Sequence, residues 1–167
     1  MYRTVEFFLN AWEVESGATK KLMNAISDAS LSQQVAEGHR TLARIAWHIV
    51  TTIPEMMART GLTLKAVAPD APVPKNAAEI QQAYAAAAQE VLEQVKANWN
   101  DQTLKVVDDM YGEKWPRGLT ARVLMDHQTH HRGQMTVLMR QAGTKVPGIY
   151  GPSKEEWAGY GAPPPEV

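Results

Sequence analysis

The stretch His127-Gln128-Thr129-His130-His131-Arg132-Gly133-Gln134 holds three of the protein's five histidines, within a run of helical periodicity. His127 and His131 stand four residues apart, which stacks their side chains one turn apart on one helix face. Two imidazoles so placed can chelate a single metal ion. One more ligand from a neighbouring helix would complete an open three-histidine site. The same helix displays its buried stripe. Leu124, Gln128, His131, Met135, Leu138 and Ala142 follow one another at spacings of four, three, four, three and four. This is a bundle-facing seam, with His131 on it and His127 one turn earlier at its edge.

Outward from this helix, three more segments carry the same periodicity, and no stretch sustains the alternation of a strand. The first spans about Arg3 to Ile26, with Val5, Phe8, Leu9, Trp12, Leu22 and Ile26 on its stripe and Gly17 weakening its middle. The second spans about Thr41 to Arg59, with Thr41 as cap and Gly61 as stop. Pro54 lies inside it and predicts a kink or restart, because proline offers no N–H to the carbonyl four residues back. The third begins at Asn76, three residues before Glu79 in the manner of a capping box, and runs to about Trp99. The fourth is expected to start after the Pro116-Arg117-Gly118 break, with Thr120 as cap, and to end near Ala142 before Gly143. Links of a dozen residues or more join these helices. Long links permit neighbouring helices to run parallel. Thr103 to Val107 reads as a short extended piece. A loop-rich tail follows from residue 145 to 167. Its Trp157 and Tyr160 are candidates to pack back on the bundle, and its proline-rich end looks frayed. The expected fold class is all-α, a four-helix bundle in one domain over residues 1–167.

The third ligand is sought among the remaining histidines. His48, in Ala46-Trp47-His48-Ile49, is the one histidine on another clear helical stripe. It sits mid-helix, as His131 does, so the two can meet at mid-bundle. His130 lies about 100° round the helix from His131 and reads as a surface or supporting residue. His39 precedes the cap of the second helix and reads as solvated. A structural pair of histidines without metal is the alternative. Neutral imidazoles suit zinc, nickel, copper or iron(II). Three of them would leave a position open to water or substrate, as in catalytic rather than structural sites.

Other chemistries fail on residue type. A di-iron carboxylate bundle needs Glu-x-x-His on two helices, and the chain has none. Gln128 stands where a His-Glu-x-x-His protease carries its glutamate base. No glycine-rich phosphate loop exists, since Tyr150-Gly151-Pro152 reads as a turn. Glu55, seven residues beyond His48, is the best-placed carboxylate for a base, with a solvated charge as the competing reading. The chain has no cysteine, which excludes disulfides, thiolate ligands and a thiol nucleophile of its own. Net charge is −1 with 44% hydrophobic residues, so a core is available and no basic field exists to hold nucleic acid or an anionic membrane. Neither a signal-peptide core at Met1-Tyr2-Arg3-Thr4-Val5-Glu6 nor a span of ~20 apolar residues is visible, so a cytoplasmic protein is expected.

The phrase Arg40-Thr41-Leu42-Ala43-Arg44-Ile45-Ala46-Trp47-His48-Ile49, the later His127-x-x-His130-His131-Arg132-Gly133-Gln134 and the tail Val146-Pro147-Gly148-Ile149-Tyr150-Gly151-Pro152-Ser153 together resemble the DinB-like family. The resemblance covers nearly the whole chain in order and spacing. It implies an up-down-down-up bundle and a divalent metal, nickel or zinc, held by His48, His127 and His131. It implies homodimers, and relatives that include thiol-S-transferases using bacillithiol, mycothiol or glutathione. The expected function is therefore a metal-dependent enzyme acting on a small molecule, a thiol transferase or a related transferase or hydrolase. Because the chain lacks cysteine, the low-molecular-weight thiol would come from outside. The alternatives are a non-catalytic metal-binding stress-response bundle and a metal-free interaction module.

Overall fold

The computed structural model describes residues 1–166. It is mostly helical: α1 (Val5–Met23), α2 (Leu42–Ala58), α3 (Ala77–Asn98) and α4 (Arg117–Gln141). Three short 3-10 turns occupy the links and the tail. The first three helices start where the sequence places a capping side chain. Thr4, Thr41 and Asn76 accept hydrogen bonds from the N–H of Phe7, Arg44 and Glu79, meeting donors that the first turn leaves unpaired. α1 runs unbroken through Gly17 and α2 through Pro54.

The start of α4 departs from expectation. It begins at Arg117, with Pro116 rather than Thr120 at the cap position, and Gly118 lies within its first turn. Gly118 is there for close approach, not for a break. A Cβ at this position would lie 2.2 Å from the Tyr2 carbonyl oxygen, while Tyr2 N donates to Gly118 O at 2.9 Å. Arg117 ties α4 to the extended segment before it through an ion pair with Asp108, Nε to Oδ2 at 2.8 Å.

The fold also departs from a purely helical class. Between α3 and α4 lies an antiparallel hairpin of β1 (Val107–Met110) and β2 (Glu113–Pro116), in the register Met110 opposite Glu113. Its two-residue turn, Tyr111-Gly112, has φ of 60° and 87°, the left-handed conformations that a type I′ hairpin turn demands. The expected extended piece at 103–107 is instead a 3-10 turn over Thr103–Lys105, and extended backbone starts at Val107.

α1 packs on α3 and α4, and α2 packs on the same two helices. Phe8, Trp12, Leu22, Ile49, Ile53, Ile80, Tyr84 and Leu124 are fully buried among them. Each such aliphatic or aromatic side chain contributes about 1.5–3 kcal/mol on burial. The alanine run of α3 serves this core. Ala87 and Ala88 are buried, and the Ala88 carbonyl accepts from Trp12 Nε1 at 3.0 Å. The proline-rich link after α2 returns to that helix, where Trp47 Nε1 donates to Ala71 O at 2.7 Å.

In the tail, Trp157 is half-buried but Tyr160 is 71% exposed and does not dock. Tyr150 fastens the tail instead, through Glu15 and Arg132. Residues 163–166 have no regular structure, and the last residue of the expected frayed end lies outside the described residues. No described helix is long and apolar enough to cross a membrane.

Candidate metal centre

α2 brings His48 to the face of α4 that carries His127 and His131. The Nε2 atom of His127 lies 3.0 Å from His48 Nε2 and 3.1 Å from His131 Nε2. The three ligand atoms fall within 4.8 Å of one another, and the rings meet edge to face with centroids 4.4–4.8 Å apart. His131 is buried and the other two are half-buried. Among the described residues this is the one group of three histidines or carboxylates close enough to hold an ion.

Neighbouring side chains decide which ring nitrogen carries the proton. His131 Nδ1 lies 2.7 Å from Gln134 Oε1, which only accepts, so the proton is on Nδ1 and the Nε2 lone pair faces the centre. The same amide then donates from Nε2 to His130 Nε2 at 3.1 Å. Thr52 spends its hydroxyl proton on the His48 carbonyl at 2.7 Å, leaving its oxygen as acceptor toward His48 Nδ1 at 3.4 Å. His48 Nε2 is thereby also an acceptor. His127 Nδ1 is buried without a partner among the described residues. The lone pairs of His48 and His131 thus face His127 Nε2, at 3.0 and 3.1 Å.

The electrostatics hold these rings neutral. Burial pushes the His48 imidazole down to about 4, assisted by His131 and by the positive charges of Arg40 and Arg44. Burial likewise pushes His127 down to about 4, assisted by His131, His48, His130 and Arg40. His131 is lowered by burial, with the Gln134 hydrogen bond working against the shift. At neutral pH no proton competes with a cation for these lone pairs. The donor set fits a divalent ion of the borderline class: three neutral nitrogens, orienting partners on two of them, and two separations close to the ~3.3 Å that Zn–N bonds of about 2.0–2.1 Å give in a tetrahedron.

The model of the DinB family matches residues 1–166. The chain belongs to the DinB family. It is 46% identical to the uncharacterized protein YrdA of Bacillus subtilis over 167 residues, all of both chains. It is also similar to a DinB-like protein of Bacillus cereus known from a crystal structure. That match has a TM-score of 0.86 and 45% identity, covering 90% of this chain and all of the other. A second DinB-like crystal structure, YjoA of Bacillus subtilis, shares the fold at a TM-score of 0.67 and 18% identity, covering 85% of this chain and 96% of that one.

In this DinB-family protein the three expected ligand residues come together, and Glu55 stands apart from them. Its carboxylate accepts from Tyr111 Oη at 2.6 Å and from Arg59 Nε at 3.0 Å, tying the hairpin turn to α2. His130 is exposed, as expected; its ring packs edge-on against His131 with centroids 4.9 Å apart, and it accepts from Gln134. Sequence reasoning missed a cleft of about 630 Å³ on the His131 side, which is bordered by His39, Arg40 and His130. The phrase around Arg40 stands out in the sequence, but nothing in its spacing says that the loop before α2 turns toward α4.

Proposed function

We propose that this protein is a divalent-metal-dependent enzyme of the DinB-like class, a thiol-S-transferase or a related transferase or hydrolase. The observation that carries the reading is the convergence of three Nε2 atoms from two helices, with contacts of 3.0 and 3.1 Å. His48, His127 and His131 would hold the ion, nickel or zinc. When bound, such an ion supplies Lewis acidity that lowers the pKa of a coordinated thiol or water. Gln134 and Thr52 keep two of the rings in the tautomer that offers Nε2 inward. Their donors and acceptors are otherwise spent, so the rings hold that orientation. No general base is assigned, because Glu55 is committed to Tyr111 and Arg59. A thiol nucleophile would come from a low-molecular-weight cofactor, since the chain contains no cysteine.

The same reading takes the chain as one domain, following an up-down-down-up path. Its support is the order of contacts. Trp12 and Ser16 of α1 meet Ala88 and Tyr84 of α3 in reverse order. Tyr2 and Thr19 meet Gly118 and Gln128 of α4 in forward order. The reading also has the protein act on a small molecule in the cytoplasm as a homodimer, without nucleic acid or membrane.

A second reading has the ion serve only to join α2 to α4, favoured by the origin of its ligands on those two helices. Elemental analysis of protein purified without a histidine tag is expected to find about one metal per chain. In the cobalt-substituted protein, an added thiol should change the visible spectrum if a position is open. A spectrum that thiols leave unchanged, with melting sharply lowered by metal removal, would support the structural reading instead. A protein that purifies empty and binds no added zinc or nickel would end both.

A further inference from the structure

The cleft beside His131 is walled by Val35, Ile45, Val137 and Leu138. Val35 and Val137 leave 56% and 51% of their surface exposed. Exposed apolar groups flanking a concavity mark a place for an apolar body. The charges around the cleft are one-sided. Arg40 borders it, exposed and with no ion pair or side-chain hydrogen bond among the described residues, and no carboxylate lines the cleft. The adjacent start of α2 offers no substitute for that charge. The N–H groups of Leu42, Ala43 and Arg44 are already taken by Gln33 O, Leu31 O and Thr41 Oγ1. His39 and His130 add further donors or acceptors at the rim, and His131 is the one ligand candidate that lines the cleft.

We propose that this cleft is the substrate subsite and that Arg40 selects molecules with a carboxylate on an aliphatic body, the body lying against Val35 and Val137. The inference rests on the metal-dependent reading, in that the reacting end of the molecule would face His131. Arg40 acts here as a specificity determinant: its guanidinium donates two parallel hydrogen bonds to a carboxylate, which a neutral end group cannot accept in the same way.

The test is an NMR titration of full-length, nitrogen-15-labelled protein as purified, with its metal content measured first. The probes are hexanoate and hexan-1-ol, which share the chain and differ in the end group. Hexanoate is expected to shift amide signals around Val35, Arg40 and Val137 and to bind roughly fivefold more tightly than the alcohol. Arg40→Gln should remove that preference and Arg40→Lys should retain part of it. Val137→Asp should weaken hexanoate while leaving the overall spectrum folded. Equal binding of acid and alcohol, or an acid preference that survives Arg40→Gln, would overturn the proposal. The second result would place the carboxylate on the histidine-bound ion instead. Repeating the titration after chelation separates the two inferences. A protein that holds no metal and binds no added zinc or nickel sinks the enzymatic reading, whereas the Arg40-dependent preference stands or falls independently of it.

Discussion

Gln128 and Arg132 repeat the spacing of His127 and His131 one residue further along α4, yet the two pairs end in opposite states. One residue is about 100° of helix, so the histidines face α2 while Gln128 and Arg132 face α1 and α3. The second pair is almost fully satisfied by the protein itself. Gln128 Oε1 accepts from Tyr84 Oη at 2.8 Å and from Thr19 Oγ1 at 3.2 Å. Arg132, 3% exposed, donates to the Glu15 carboxylate, the Glu15 carbonyl, Thr129 and Tyr150. Only its Nε finds no partner. The histidine pair, by contrast, turns its Nε2 atoms toward each other and toward His48 Nε2. Buried polar groups that complete one another build structure, whereas three neutral nitrogens at one point could hold a cation. This contrast, more than the histidine count, identifies the centre.

The largest expected effect is at the open side. His127→Ala removes the nitrogen that lies between the other two, and metal affinity should fall more than about a hundredfold, beyond the range for losing a supporting contact. Competition against a chelator of known affinity measures it. Unchanged affinity would show that the three nitrogens do not share an ion.

At the closed side the loss should appear in folding. Arg132→Leu leaves the Glu15 carboxylate without its cation, with the Tyr150 hydroxyl as its remaining partner, and should destabilise by about 3 kcal/mol. For a chain of this length that is a fall in melting temperature of roughly 10 °C. Metal stoichiometry should persist in the fraction that remains folded. If Arg132→Leu instead released the metal without changing stability, the two faces of α4 would have exchanged roles.

The two faces of α4 also differ in how far the sequence reveals them. The seam of α4 and the four-residue histidine spacing are local patterns, so His127 and His131 are legible as a pair, while His48 enters as the one histidine on another helical stripe and through the family resemblance. The caps Thr41 and Asn76 are legible too. The start of α4 is misleading because Gly118 and Thr120 look like a breaker and a cap. The reason for Gly118 is Tyr2, more than a hundred residues away. The hairpin escapes notice because two four-residue strands give too little alternation, and Tyr111 is an unusual residue at positive φ. The cleft and the Glu15–Arg132–Tyr150 knot are hidden for the same reason as Gly118: both depend on which segments meet.

Acidification should sharpen the contrast further. The His48 and His127 imidazoles sit at about 4 in the folded protein, below their ordinary 6.5. Above pH 6.5 neither state carries these protons, and the metal-free protein keeps its full stability. As pH falls from 6.5 toward 4, the unfolded chain takes up protons that the folded chain refuses, so stability declines across that window. Below about 4 both states are protonated and these two groups add no further slope. Urea denaturation at a series of pH values reads this directly. His127→Ala should flatten the decline, and a decline equally steep in that variant would assign it to other groups.

The smallest expected effect lies at Glu55, which tests whether a carboxylate on α2 belongs to the centre at all. Its links to Arg59 and Tyr111 lie on a partly exposed surface, where ion pairs and hydrogen bonds contribute little. Glu55→Gln keeps the shape and removes the charge. Stability should change by less than about 1 kcal/mol, with metal affinity and the response of the cobalt spectrum to thiol unaltered. A charge serving as base would behave differently. The thiol-induced spectral change would then move to higher pH in the variant while stability stayed constant, and a shift of that kind would return Glu55 to the site.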